Sequence, residues 1–292
     1  LYRSATAKLA DYIIAPTLSL ERDDVTMLTD TWYDEPYCHY TKAVLPKNPE
    51  SLEEWEVYWE LSHRTGIALE LPGGDLDPSK RPSKFDVLAL LMPDSRIPIK
   101  EIAAIGQGHI FDAVQVTVDP PRAGQQDRFQ LLPTDIAAQL KTLAAETYWQ
   151  QQGNVDDGVT YSHLLISRRL KHVYNSSGQQ LDGLRKKGTT NPAYMHPSDV
   201  AALGLISGQL IEVSSAAGAL TGVVEAAADI KPGVISMAHA WGDLPDNGGE
   251  VRTQGSSTNR LVDDDRTFDS ITGMPRMSAI PVNIRSVQEA VA

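Results

Sequence analysis

Cysteine is almost missing from this 292-residue chain, where Cys38 stands alone. A single thiol excludes an intrachain disulfide framework, a multi-cysteine zinc site and an iron–sulfur cluster held by this chain by itself. A buried, inert thiol is the reading left for Cys38. Long apolar runs are missing too, and none approaches the ~18 residues needed to span a bilayer. Positive charge is scarce: 26 Lys and Arg face 38 Asp and Glu, for a net charge of -12 and a pI near 5.0. That balance excludes general binding to nucleic acid or anionic membrane, which need basic surface. No "GxSxG" nucleophile elbow occurs, and no Ser, His and Asp form a convincing triad. "GQGHIF" (106–111) has two glycines of a dinucleotide fingerprint but lacks the third and a preceding strand. Asp263, Asp264 and Asp265, with Asp269, lack the glycine and distal glutamate of a calcium loop and read as a solvated acidic loop. No catalytic residue and no metal ligand is assigned in this chain.

What is present is ordinary globular composition, 41% hydrophobic and 22% charged, with length for two domains. The chain opens at Leu1 on "LYRSATAKLADYIIAP", which reads as the middle of a domain without a leader. A fragment of a longer, soluble protein is therefore expected. "ADYIIAP" (10–16) reads as a short strand. "SLEEWEVYWELSHRTG" (51–66) reads as a helix with a Ser51–Glu54 capping box, a packed stripe of Leu52, Trp55, Tyr58 and Trp59, and Gly66 as its stop. "KFDVLALLM" and "PTDIAAQLKTLAAE" (133–146) read as two more helices. Polar, aperiodic residues 147–160 mark the domain boundary, so an α/β segment over 1–155 precedes a second domain over 156–292.

From residue 161 the pattern changes to short strands and tight turns. "YSHLLISRR", the pair within "QLIEVSSAAGALTGVVEAAA" (209–228), "KPGVISMAH" and "SAIPVNIRSV" alternate as strands do. "HPSDVAALG" (196–204) is a compact helix in which His196 caps and Asp199 favours the positive N-terminal end. The sum is mainly β, in the style of a small barrel.

Against the acidic trend, residues 168–187 gather Arg168, Arg169, Lys171, Arg185, Lys186 and Lys187 with Asp182 as their only acid. Concentrating like charge costs self-repulsion unless an anion sits nearby. Between the cations lie Asn175, Ser176, Ser177 and Gly178, donors and a flexible backbone suited to phosphate oxygens. A solvated basic loop is the competing reading.

The order of motifs goes further than charge does. A strand "HLLIS" ending at Ser167, then Arg169, the pair Asn175–Ser176, Asn191–Pro192, "HPSDVAALGLISGQLIEVSS", "IKPGVISMAHAWG", "STNRLVDDD" and "GMPRMSAIPVNI" follow one another. In that order they resemble the C-terminal cofactor-binding domain of the molybdopterin-dinucleotide oxidoreductases, the dimethyl sulfoxide reductase and formate dehydrogenase superfamily. Arg168 stands where that family often has glycine. The first half resembles the end of the family's α/β catalytic region more loosely, through "TAKLADYIIAPTLSLERDD" and "AVLPKNPESLEEWEVYWELSHRTG". Residues 67–155 match nothing specific.

The resemblance implies a six-stranded double-psi β-barrel, like the formate dehydrogenase C-terminal domain, over residues 156–292. It implies molybdopterin guanine dinucleotide carrying molybdenum or tungsten, a two-electron redox reaction, and cofactor contacts from Ser167, Arg169, Asn175, Ser176, His239, Trp241, Asn259 and Arg276. Arginine suits such a site because its fork bonds two oxygens at once. The metal ligand, and any iron–sulfur cluster, would belong to the upstream part of the parent chain, so this segment alone is expected to be inactive. Partners implied are the rest of that chain and an electron-transfer subunit, in a bacterial cytoplasm or periplasm. A stand-alone barrel serving binding or assembly is the competing class, and an anion-binding hydrolase a weaker third.

Overall fold

The structure is a computed structural model that describes residues 4–26, 33, 35–112, 120, 122–124, 129–145, 154–156, 158–179, 181–186, 188, 190–242 and 251–287. The chain divides into two compact units, Leu1–Gln126 and Asp127–Ala292. Most of the boundary segment expected at 147–160 lies outside the described residues.

The first unit is helical with small two-stranded pairings. A helix spans Glu54–Thr65 and stops at Gly66, whose left-handed backbone (φ 69°) lets its N–H donate to Ser62. The expected Ser51–Glu54 cap is corrected: Glu53 is the N-cap, its backbone N–H donating to the Glu56 carboxylate at 2.8 Å. Ser51 is instead buried with its hydroxyl donating to the Asn48 carbonyl. The aromatic stripe is corrected as well. Trp59 is 5% exposed, whereas Tyr58 is 61% exposed. Glu56, itself buried, is held by Lys47 at 2.5 Å and Arg81 at 2.6 Å, which keeps its carboxyl below the usual range despite burial. Helices Lys84–Leu91 and Ile99–Ile105 enclose an apolar cluster of Val25, Cys38, Tyr40, Leu88, Ile99 and Ile102. Cys38 is buried, as its composition suggested. Residues 10–16 are not a strand: Ala10 to Ala15 are exposed, and pairing is confined to a bridge between Pro16 and Leu52.

The second unit is a closed barrel of six strands: β1 (His163–Arg168), β2 (Ala193–Met195), β3 (Leu210–Ser214), β4 (Ala219–Ala226), β5 (Val234–Ala238) and β6 (Ile280–Ser286). Around the barrel their order is β2-β4-β3-β6-β1-β5, closing on β2. Alternation explains the strands. In β6, Ile280, Val282 and Ile284 point inward while Pro281 and Asn283 stay half-exposed, and β4 alternates likewise. Fully buried Met195, Ile211, Val213, Val224, Ile235, Met237 and Val282 fill the centre. Closure leaves no edge strand to template aggregation.

Register fixes which loops meet. β1 and β5 run parallel, Leu164 beside Val234 and Arg168 beside Ala238. β6 is antiparallel to both β1 and β3, with Ile280 beside Leu165 and Asn283 beside Ser214. β3 and β4 form a hairpin with Ser214 beside Ala219. The chain leaving β1, the chain leaving β5, the 215–218 hairpin turn and the chain entering β6 therefore gather at one end of the barrel. At the other end sit the start of β1 and the helix Pro197–Ala202, capped by His196 as expected, whose Nδ1 accepts from the Ser198 N–H.

Candidate functional site

The residues expected to touch the cofactor lie at or next to the first of these ends, whereas the His196–Asp199 piece of the motif order lies at the other. β1 delivers Ser167 and Arg168 to the rim, and Arg169 follows. The Ser167 hydroxyl donates to the Met277 carbonyl at 2.8 Å, tying the end of β1 to the segment that carries Arg276. Past Arg169 the chain forms a tight turn in which Tyr174 and Ser177 exchange backbone hydrogen bonds of 3.1 and 2.9 Å. Asn175 and Ser176 form its tip, both exposed. Asn175 is left-handed (φ 50°), a conformation that asparagine tolerates better than most residues and that two-residue turns demand.

Three of the expected residues converge. Arg169 Nη1 donates to Asn175 Oδ1 at 2.6 Å, and His239 Nε2 lies 3.4 Å from the same oxygen. The other ring nitrogen of His239 lies 3.3 Å from the Arg168 carbonyl. His239 thus bridges the chain leaving β1 and the chain leaving β5. Ala240 beside it is also left-handed (φ 55°), a strained state costing about 1 kcal/mol for a residue with a Cβ.

Trp241 lies beneath this rim, 2% exposed, its indole N–H donating to the Gln254 carbonyl at 3.0 Å. It stands edge-on to His172, with ring centroids 5.8 Å apart. The packing here is tight: a Cβ on Gly255 would come within 2.3 Å of Asn191 Oδ1 and 2.5 Å of the Trp241 ring. Asn191, buried at 2%, donates to the Ala238 and Ser256 carbonyls and accepts from the Ser256 N–H. Its role in the Asn–Pro motif is to knit the chain after β5 to the chain that precedes Ser256.

The remaining candidates arrive from other segments. Asn259, exposed, sits in the short 3-10 turn Thr258–Leu261. That turn is fastened to the β3–β4 hairpin by the Ser215 hydroxyl, which donates to the Leu261 carbonyl at 3.0 Å. Arg276 is half-buried, with its Nε donating to the Ser278 carbonyl at 3.3 Å.

The cationic loop resolves into separate roles. The Arg168 guanidinium lies over the Tyr194 ring, 4.0 Å from its centroid, where cation and π face attract. Lys171 and Lys186 are exposed. Lys187 and the Arg185 side chain lie outside the described residues. Two buried nitrogens of this loop, Arg168 Nε and His172 Nε2, have no hydrogen-bond partner. Buried polar atoms are paired in the great majority of cases, so this rim holds unspent donor capacity. Sequence reasoning missed two features. One is the Arg168–Tyr194 stack. The other is Gln179, whose amide donates to the Ala240 carbonyl at 2.8 Å and accepts from the Gly242 N–H at 3.1 Å. Neither has a local signal, because each joins segments that only the closed barrel brings together.

Chemically, the rim offers a fork-shaped cation, small polar donors on a turn tip and an imidazole, above an apolar floor. That is the donor set for an anionic, polar ligand with several oxygens. No group of three or more His, Cys, Asp or Glu that could hold a metal ion occurs among the described residues. Nor is any described helix long and apolar enough to cross a membrane.

Comparison with known proteins bears on the barrel as a whole. Residues 164–281 match the family described as the Molydopterin dinucleotide binding domain, a span that runs from β1 to the start of β6. A trimethylamine-N-oxide reductase of Haemophilus influenzae is 22% identical over 263 residues, covering 82% of this chain and 31% of the relative. The solved structure of acetylene hydratase from Pelobacter acetylenicus superposes with a TM-score of 0.63 at 18% identity, over 97% of this chain and 39% of that one. That structural likeness establishes the fold alone. The chain spans about a third of the length of the curated relative it matches.

Proposed function

Starting from a chain that carries the molydopterin dinucleotide binding domain and resembles the C-terminal part of molybdopterin-dinucleotide oxidoreductases, we propose that it is the cofactor-covering portion of such an enzyme. The single observation that carries this reading is topological. The barrel's register brings Ser167, Arg169, Asn175, Ser176, His239 and the segments bearing Asn259 and Arg276 to one end. We read the barrel as double-psi, and the ligand as a bis-pterin guanine dinucleotide carrying molybdenum or tungsten.

The residues present suit that group. Two pyrophosphates need cations and donors, and the rim supplies Arg169, Ser176 and the unpartnered nitrogens Arg168 Nε and His172 Nε2. Arg169 would bond two phosphate oxygens through its fork. Asn175, set in its left-handed turn with its Oδ1 already engaged by Arg169 and His239, would offer its amide donor to a pterin or guanine edge, and Asn259 a donor and an acceptor. His239 would orient the Asn175 amide from behind, Ser167 and Arg276 would form the facing wall, and Trp241 would support the floor. When bound, the cofactor supplies two-electron redox chemistry at its metal, and the protein's part is to hold and orient it. The parent reaction, its metal ligand, any iron–sulfur cluster and an electron-transfer partner belong on this reading to the remainder of the enzyme. The names of the relatives, a reductase and a hydratase, give no common substrate. The likeness reaches across 97% of the chain, first half included, which favours this reading over a stand-alone barrel.

The test is Arg169→Ala in the intact enzyme, with molybdenum and tungsten content measured by mass spectrometry. Losing a charge-assisted hydrogen bond of about 1.5–3 kcal/mol should weaken cofactor retention at least about tenfold. Full metal occupancy in that variant would refute the assignment.

A further inference from the structure

The rim is assembled from two separate pieces of chain, the turn after β1 and the turn after β5, and neither is held by strand pairing where it matters. β1 and β5 stop pairing at Arg168 and Ala238. Beyond that point His239 reaches across to the Arg168 carbonyl and to Asn175, and a second side chain, Gln179, reaches across further along. Gln179 Nε2 donates to the Ala240 carbonyl at 2.8 Å, and its Oε1 accepts from the Gly242 N–H at 3.1 Å. The same Nε2 lies 3.4 Å from the Ser176 carbonyl, on the tip itself. The amide therefore acts as a surrogate strand. It gives one donor and one acceptor to the backbone of the second turn, as a neighbouring peptide would.

The conformations on either side explain why such a tie is useful. Asn175 and Ala240 both hold positive φ, and Gly178, next to Gln179, has φ 102°. A Cβ at Gly178 would approach the Leu184 side chain at 3.1 Å. Residues in such sparsely populated conformations persist only where their surroundings over-determine them. His239, one residue before the Gln179-bound carbonyl, meets Asn175 at 3.4 Å, a spacing that depends on the two turns keeping their separation.

We propose that Gln179 is a positioning residue, a side-chain latch that fixes the 174–178 turn against the 239–242 turn. It thereby sets the spacing of Asn175, Ser176 and His239 for a pyrophosphate-bearing ligand. The ligand class rests on the function proposed above; the latch itself does not. Glutamine is the residue that serves here. Glutamate keeps the acceptor for Gly242 but, once ionised, loses the donor to Ala240, whereas protonated glutamic acid regains one donor and one acceptor.

The experiment uses Gln179→Ala and Gln179→Glu in the full chain, with two readouts. The first is backbone hydrogen exchange without ligand. In Gln179→Ala, protection should fall at least about tenfold in 174–178 and 239–242 together, while β3 and β4 exchange as in the parent. Unchanged exchange in either turn overturns the latch. The second is binding of guanosine diphosphate as the probe. Gln179→Ala should weaken it about tenfold per folded molecule, with the unfolding midpoint lowered only by the loss of its two part-buried hydrogen bonds. Gln179→Glu should match alanine at pH 7 and recover toward the parent, measured at the same pH, as the carboxyl protonates near pH 4.3. A constant deficit across that range overturns the donor–acceptor account. If the parent chain binds no probe while exchange shows the coupled loss, the latch stands and the ligand assignment falls.

Discussion

The two ends of the barrel are built from the same six strands and finished in opposite ways. Where β1 begins, most polar groups are spent on one another, and His163 Nε2 is the buried nitrogen there that lacks a hydrogen-bond partner. Asp199 accepts from the Gly233 N–H at 2.7 Å, Ser162 holds His163 Nδ1 at 2.8 Å, and the Ser207 hydroxyl accepts from the Ala226 N–H at 2.8 Å. Where β1 ends, Asn175 and Ser176 are exposed, three non-glycine residues of that rim (Asn175, Ala240 and Ala279) hold positive φ, and two buried nitrogens lack partners. One end invests its polar atoms in stability. The other leaves them uncommitted and is held in shape from beneath, which is how sites are expected to break local rules that the scaffold obeys elsewhere.

The sharpest way to break that contrast is to remove the support rather than the site. Asn191→Ala would leave the Ala238 and Ser256 carbonyls and the Ser256 N–H without their buried partner. Each orphaned group costs about 1–3 kcal/mol, so a loss of about 3 kcal/mol or more is expected in urea unfolding. A variant as stable as the parent would show that the rim does not depend on this floor. Asp199→Ala should cost less, about 1–3 kcal/mol, because the Gly233 N–H loses its acceptor. The folded fraction should still bind ligand normally, since the change lies at the opposite end. Weakened binding per folded molecule would show that the two ends are coupled.

How much of this could be read beforehand differs between the ends for the same reason. The strands were legible because a half-buried strand alternates, and Ile280, Val282 and Ile284 do so plainly. The helix cap at His196–Pro197 was legible because capping is local. The gathering of Arg169, Asn175 and His239 was reachable only through the order of motifs, since contacts spanning sixty and more residues leave no period. Gln179 was invisible for that reason, and the Arg168–Tyr194 stack because it joins two strands that are not neighbours in the barrel. Local pattern also misled. "ADYIIAP" has a strand's composition, yet Tyr12 is 91% exposed and strand pairing never reaches it. Ser51 had the right spacing for a cap but turned its hydroxyl to Asn48 instead.

A pH titration sharpens the comparison further. Burial pushes the His163 pKa below its ordinary 6.5, and the carboxylate of Asp199 works against that shift. The carboxylate is 3.6 Å away, beyond hydrogen-bond reach. A depressed histidine contributes stability that is fully present above about pH 6.5. It is lost as the pH falls below that value, because the unfolded chain takes up the proton first, until His163 protonates in the folded state. The slope is at most about 1.4 kcal/mol per pH unit. Unfolding measured between pH 7 and 5 should show this loss, His163→Gln should flatten it, and Asp199→Asn should deepen it. If Asp199→Asn made the protein less acid-sensitive, the carboxylate would not be the charge that faces this ring.

The smallest expected effect tests whether the uncommitted end is wholly uncommitted. Arg168 sits 4.0 Å from the Tyr194 ring centroid, a cation–π contact of about 0.5–1 kcal/mol at a half-exposed position. Tyr194→Leu keeps an apolar side chain on the strand and removes the π face. A double-mutant cycle with Arg168→Ala isolates the pair from the packing each side chain makes separately. A coupling near 0.5 kcal/mol would mean that the ring favours the stacked position of Arg168 about twofold before any ligand arrives. A coupling of zero would mean that the guanidinium costs nothing to lift from the ring. Arg168 would then stand with Arg169 as a second cation that a ligand could draw to the rim, and the contrast between the ends would be stronger than the resting geometry displays.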